Sequence, residues 1–245
     1  MECVSPCLDV NTLDLLSQLD KNDKQKVEAL ADSLNAQITA LEILTNLSSF
    51  EEVEGYNSED SDAEIDDNFT NEMEEEGNFD MGRDHEAFIK CVIKFNILVK
   101  LVDRASQLTT EVKIVIKESK SGQFLLGLHE KLVTDSYLCL SNVTEIMTVD
   151  QLGGGEAVKT VWLDLASKLC AKPEDTDLVD ALSSAVRSLT SQVVRPEAGV
   201  SLDNVGTDDL EQLVRVKHWF HVSKHFAVLL YHRFNNIAVD YRDDR

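Results

Sequence analysis

The chain has 245 residues, with 45 Asp and Glu against 23 Lys and Arg, so it carries a formal net charge of −22. That balance repels phosphate backbones, which argues against direct nucleic-acid binding and for a basic partner. Hydrophobic residues make up 43%, while Gly and Pro number 10 and 3. The chain can therefore bury a core with little to interrupt helices, and its apolar residues fall mainly at helical spacing, which predicts an all-α fold.

Met1, Glu2 and Cys3 lack the charged start and apolar run of a secretory leader, and no stretch approaches ~20 apolar residues. The expectation is a protein neither secreted nor membrane-spanning, in which the sequons at Asn46, Asn68 and Asn142 are chance. Cys3, Cys7, Cys91, Cys139 and Cys170 are odd in number and irregular in spacing, as free thiols in a reducing compartment would be.

In chain order, residues 1–21 read as a short arm, with a helix over 11–19. A long helix follows over 22–47, capped by Asn22, with Val27, Leu30, Leu34, Ile38, Leu41, Leu44 and Leu47 forming one buried stripe. Ile43 lies off that stripe and suggests a second packed side.

Residues 51–86 then hold sixteen Asp and Glu against one basic residue, Arg83, which places 15 of the chain's 22 net negative charges in this tract. So strong a self-repulsion with few apolar residues predicts a disordered, solvated loop whose use is electrostatic. Its cargo-binding candidates are Glu51, Glu52, Glu54, Glu59, Asp60, Asp62, Glu64, Asp66, Asp67, Glu72, Glu74, Glu75 and Glu76. Within it, Ser58 and Ser61 sit in the setting of an acidophilic-kinase site, where phosphate would deepen an existing negative charge.

Beyond the tract, Phe88, Cys91, Val92, Phe95, Leu98 and Val102 mark one helical face, interleaved with Lys90, Lys94 and Lys100. The alternation of Val112, Ile114 and Ile116 over 109–117 would suit a strand, but a lone strand has no partner here, so helix or irregular chain is expected. Further helices are expected over 124–147, 156–169 and 175–192, with Gly153, Gly154 and Gly155 closing the first of these at positive φ. Residues 194–206 read as a loop and 207–236 as a last helix capped by Thr207.

Antiparallel helix pairs of about 40 residues, none with its own core, describe a helical solenoid; periodicity alone leaves a compact bundle open. Three stretches favour the solenoid: 33–47 (SLNAQITALEILTNL), directly before the acidic tract, then 149–154 (VDQLGG) and 180–189 (DALSSAVRSL). In that order and spacing the chain resembles the HEAT-repeat half of the symportin (HEAT repeat-containing protein 3) family over about residues 22–200. The resemblance implies a HEAT/armadillo-type superhelix interrupted by a long acidic loop. It also implies a role as nuclear-import adaptor and dedicated chaperone, shuttling between cytoplasm and nucleus. Its partners would be the basic large-subunit ribosomal proteins that bind 5S rRNA, and an importin of the karyopherin-beta class. Residues 1–21 match neither the importin signal nor the cargo-peptide site of that family's N-terminal half, and residues 216–245 match nothing in it.

The expected division is thus an arm (1–21), a HEAT-type helix (22–50), the acidic loop (51–86), HEAT-type repeats (87–200) and a C-terminal helix and tail (201–245). The rival reading is a helical scaffold whose acidic loop only confers solubility. His218, His221, His225 and His232 could share one helix side, but no Cys, Asp or Glu accompanies them at metal-ligand spacing. Packing beside Trp219, Phe220, Phe226 and Tyr231 suits them better. The triple glycine lacks the Lys-Ser/Thr and preceding strand of a phosphate loop. With no nucleophile elbow, paired carboxylates or Cys/His set, the reading is of a protein that is not an enzyme and needs no cofactor or metal.

Overall fold

Asp23 starts the first long helix by accepting a hydrogen bond from the Lys26 N–H (3.1 Å), and leucine at three- and four-residue spacing carries that helix to Ser48. The structure, a computed structural model, describes residues 1–18, 23–49, 81–171 and 173–193. The described elements are all helices: α1 (Val4–Asp9), α2 (Thr12–Ser17), α3 (Lys24–Ser48), α4 (Met81–Lys94), α5 (Ile97–Arg104), α6 (Thr110–Lys117), α7 (Lys120–Ile146), α8 (Gly155–Cys170) and α9 (Thr176–Val193).

The architecture is a row of inner helices, α3, α7 and α9, with α7 flanked by the other two. Lys131 of α7 meets Glu42 of α3, and eleven residues on, Asn142 meets Ser49 just after α3, so these helices run parallel. At one end of α7, Gly127 and Lys131 stand near Asp177 and Asp180; at the other, Ser141 and Thr144 bond Ser188 and Gln192, so α9 is parallel to α7 as well. Parallel neighbours need a returning element, which α8 supplies behind α9 and α5 with α6 supply behind α7. This is stacked-pair geometry, an all-α helical solenoid, and among the described residues the row of three does not close into a bundle. Residues 155–193 form a pair of about the expected repeat length.

Leu30, Leu34, Ile38, Leu41 and Leu44 are buried as the stripe predicts, with Val27 and Leu47 partly buried at its ends. Ile43 is 43% exposed, however, and packs no second side. The second buried side of α3 is polar: Gln37 donates to the Cys7 and Val10 carbonyls (3.0 and 2.7 Å) and accepts from the Thr12 hydroxyl (3.2 Å). These bonds fasten α1, which the sequence reading missed, and α2, which begins after the Asn11 cap. Lys100 of α5 adds bonds to the Ser5 carbonyl and hydroxyl and an ion pair with Asp9 (2.6 Å), while Arg104 donates to the Val10 carbonyl.

Several expectations need correction. Helix α4 begins at Met81, so the last residues of the tract read as disordered are helical. Acidic residues suit a helix start, and Glu86 pairs with Lys90 one turn on (2.7 Å). The single face over 88–102 belongs to two helices, broken at Asn96, whose left-handed φ of 51° asparagine tolerates better than most residues. Of the two forms expected for 109–117 the structure takes the helix: Thr109 caps it, Ile116 is buried, and Ile114 and Val115 face outward. Helix α7 starts before Gly122, at Lys120, capped by Ser119. Gly122 is required there, because a Cβ would lie 2.0 Å from the Ile116 carbonyl oxygen. α7 ends at Ile146, so the glycines instead finish the turn over 147–154. Gly153 and Gly154 take φ of 98° and 89°, while Gly155 opens α8.

On the outer side of α7, His129 is 2% exposed and neither ring nitrogen has a hydrogen-bond partner. Burial, helped by the nearby Lys113 of α6 and Arg104 of α5, pushes its pKa down to about 4.

Two outcomes follow from these contacts. Gln37→Leu leaves the Cys7 and Val10 carbonyls without their donor, and should cost about 1–3 kcal/mol. The loss should concentrate in faster amide exchange across residues 4–17, with α7 to α9 unaffected. For His129, the unfolded chain takes up its proton near pH 6.5 and the folded chain only near pH 4. Stability present above pH 6.5 is therefore lost as pH falls through that window, by about 3 kcal/mol in full. Urea unfolding of His129→Leu should show less loss between pH 6.5 and 4 than the parent, the difference isolating this residue from the general charge of the chain.

Candidate functional site: an acidic trough on the inner face

The outer face of α7 is consumed by packing, but its residues 127, 131, 134, 135 and 138 recur at helical spacing on the side left open between α3 and α9. Between α7 and α9 this leaves a groove of about 610 Å³, walled by Glu130, Lys131, Thr134 and Asp135 on one side and Asp175, Asp177 and Asp180 on the other. Between α3 and α7 lies a smaller hollow of about 240 Å³, lined by Glu42, Thr45 and Asn46. Asp135 and Leu138 line both, so the two form one trough across the inner helices.

The sequence folds this way because α9 is pinned in register on α7. Thr144 and Ser188 hydroxyls bond at 2.6 Å, Ser188 donates to the Ser141 carbonyl at 2.9 Å, and Gln192 donates to the Thr144 carbonyl at 2.7 Å, all buried. Behind them the Trp162 indole N–H donates to Thr190 (2.8 Å), which fixes α8 to α9. With that register set, the acidic first turns of α9 stand opposite the polar face of α7. Gly127 widens the mouth: a Cβ there would meet nothing within 4 Å.

Six carboxylates and one lysine line the trough. Lys131 bridges Glu42 (3.1 Å) and Asp135 (2.7 Å); partial burial works against its charge, but these two partners hold the ammonium above its ordinary pKa. Glu130 reaches Lys113 at 3.8 Å, and Asp175 accepts the Asp177 and Leu178 N–H groups at the start of α9. Asp177 and Asp180 make no ion pair among the described residues. Leu138, 39% exposed, is an apolar spot amid the acids. The arrangement suits cationic side chains with an apolar neighbour.

The acidic candidates Glu51, Glu52, Glu54, Glu59, Asp60, Asp62, Glu64, Asp66, Asp67, Glu72, Glu74, Glu75 and Glu76, with Ser58 and Ser61, lie outside the described residues, as do His218, His221, His225 and His232. Along the chain the tract follows directly on α3, whose Thr45 and Asn46 line the hollow. The trough carboxylates escaped the sequence reading because they come from three separate helices. The i, i+3 pair Asp177 and Asp180 and the Glu130, Lys131, Asp135 set were its only local signals. Among the described residues no group of His, Cys, Asp and Glu could hold a metal ion, and no helix is long and apolar enough to cross a membrane.

Comparison with known proteins agrees with this geometry. The family described as "SYO1-like, TPR repeats" matches residues 86–220. Mouse (Mus musculus) HEAT repeat-containing protein 3 is 26% identical over 182 residues, an alignment that covers 70% of this chain and 26% of the mouse protein. The chain thus spans about a quarter of that relative's length. No solved structure matches. The family model covers more than half of the chain, and α5 to α9 lie within its span, so this chain belongs to the SYO1-like family of helical-repeat proteins.

Proposed function

We propose that this chain is a non-enzymatic adaptor and chaperone. Its client is a basic large-subunit ribosomal protein of the kind that binds 5S rRNA, and it covers the client's RNA-binding surface during nuclear delivery. The observation that carries the reading is the trough. Its six carboxylates against one lysine lie on the open inner face of a solenoid, and Asp177 and Asp180 have no cation of their own among the described residues. Ribosomal proteins are basic where they meet RNA, so an acidic concavity can occupy the place of phosphate. The tract over 51–86, with a net 15 negative charges, extends that logic. Screening limits its reach to about 8–10 Å near physiological salt, so it must lie against the client to contribute.

In this reading, binding is masking rather than catalysis. Electrostatic complementarity speeds encounter and excludes acidic partners, and the trough fixes where the client sits. Transport uses an importin of the karyopherin-beta class, engaged through a longer form or a companion protein, and the chain travels between cytoplasm and nucleus.

The test is binding of purified 5S-rRNA-associated ribosomal proteins to the full chain at low and high salt. Asp177→Asn with Asp180→Asn should weaken binding about tenfold at low salt and flatten its salt dependence. Replacing residues 51–80 with a Gly/Ser linker of equal length should weaken it further. A 5S rRNA fragment should compete for the client. Binding unchanged by both alterations would leave the tract as a solubilising segment only and the trough without a client.

A further inference from the structure

We infer that Lys131 is a resident competitor in the trough, a specificity-determining residue that makes its Glu42 and Asp135 end accept arginine over lysine. This inference rests on the reading of the trough as a site for basic clients, and it adds what kind of cationic side chain that site selects.

Lys131 Nζ lies 3.1 Å from Glu42 Oε1 on α3 and 2.7 Å from Asp135 Oδ2 on α7, so one ammonium spans the two inner helices. The same lysine lines the larger groove, while Glu42 and Asp135 line the hollow beside it. An incoming cation reaching that hollow therefore meets carboxylates already occupied, whereas one reaching Asp177 and Asp180 meets carboxylates with no ion pair among the described residues.

The occupant is displaceable. Its side chain is 49% exposed and Glu42 is 55% exposed, and ion pairs so open to water contribute little to stability. Swinging the long side chain out into solvent costs little, provided that what replaces it binds the carboxylates better. An incoming lysine offers the same compact, strongly hydrated ammonium and gains nothing by the exchange. An incoming arginine presents a planar fork of donors that meets a carboxylate two bonds at a time and is more weakly hydrated, so it can take Asp135, 19% exposed and the more enclosed of the two acids. Leu138, which borders both compartments, gives the stem of that arginine an apolar surface. The selection thus comes from a competitor built into the wall. Every cation meets the same negative field, and only one that outbids an ammonium occupies this end.

The experiment uses the full chain with labelled leucine methyl groups, following the Leu138 signals as nona-arginine or nona-lysine peptide is added, so that trough occupancy is read separately from any binding elsewhere. In the parent, nona-arginine should bind about tenfold more tightly than nona-lysine. Lys131→Gln should tighten nona-lysine by about threefold to tenfold and nona-arginine by less, narrowing the ratio. Adding Glu42→Gln to that variant should remove most of the gain. An unchanged arginine-to-lysine ratio in Lys131→Gln, or weaker binding of both peptides, overturns the role of Lys131, the latter by showing that it positions the carboxylates instead. Failure of the trough reading itself gives a different result: Leu138 signals that do not respond to either peptide, in the parent and in Asp177→Asn with Asp180→Asn alike. Equal thermal melting midpoints by circular dichroism confirm that each variant is folded.

Discussion

Everything in this fold depends on α7 being buried from several sides at once. Leu125, Leu132, Cys139 and Val143 are fully enclosed, and Leu126, Val133 and Leu140 nearly so, because α3, α5, α6 and α9 all pack on this one helix. Each such side chain stabilises the folded chain by about 1.5–3 kcal/mol, so the helix is held by many small contributions that no single neighbour supplies. Apolar contact alone would let α9 slide along α7, since leucine faces repeat every turn. The hydroxyl and amide bonds among Ser141, Thr144, Ser188 and Gln192 remove that freedom, because a slipped register would strand them buried and unpaired.

That register has an electrostatic consequence. It brings the acidic start of α9 against the acidic face of α7, an arrangement that is unfavourable for the free chain and becomes favourable when a cation enters. Asp175, Asp177 and Asp180 are exposed to water, which screens their repulsion, and Gly127, Leu138 and Ala181 line the same groove between the acids. Burying such charges without partners would be prohibitive, so an open trough is the form that a stable folded chain can give to a site for cations. The same argument explains the place of its one lysine, which bridges Glu42 of α3 and Asp135 of α7.

The amino-terminal arm packs on α3 and α5. Val4, Leu8 and Leu16 are buried there, while Glu2, Asp9, Asn11, Asp14 and also Leu15 are exposed. Polar bonds from Gln37, Lys100 and Arg104 add to that apolar contact.

The sequence by itself determined the helical class, the stripe from Leu30 to Leu44, the approximate spans of α3, α7, α8 and α9, and the concentration of charge before α4. Each of these is local, set by three- and four-residue apolar spacing and by the sum of charges in a window. Tertiary structure alone decided the rest. The break at Asn96 depends on how α4 and α5 pack, the polar second face of α3 depends on an arm brought back across it, and the burial of His129 depends on α5 and α6 lying over α7. The trough is the clearest case. Glu42, Asp135 and Asp180 are unremarked acids on three separate helices, and they become one site only because buried side chains on the far faces of those helices fix which turn stands opposite which.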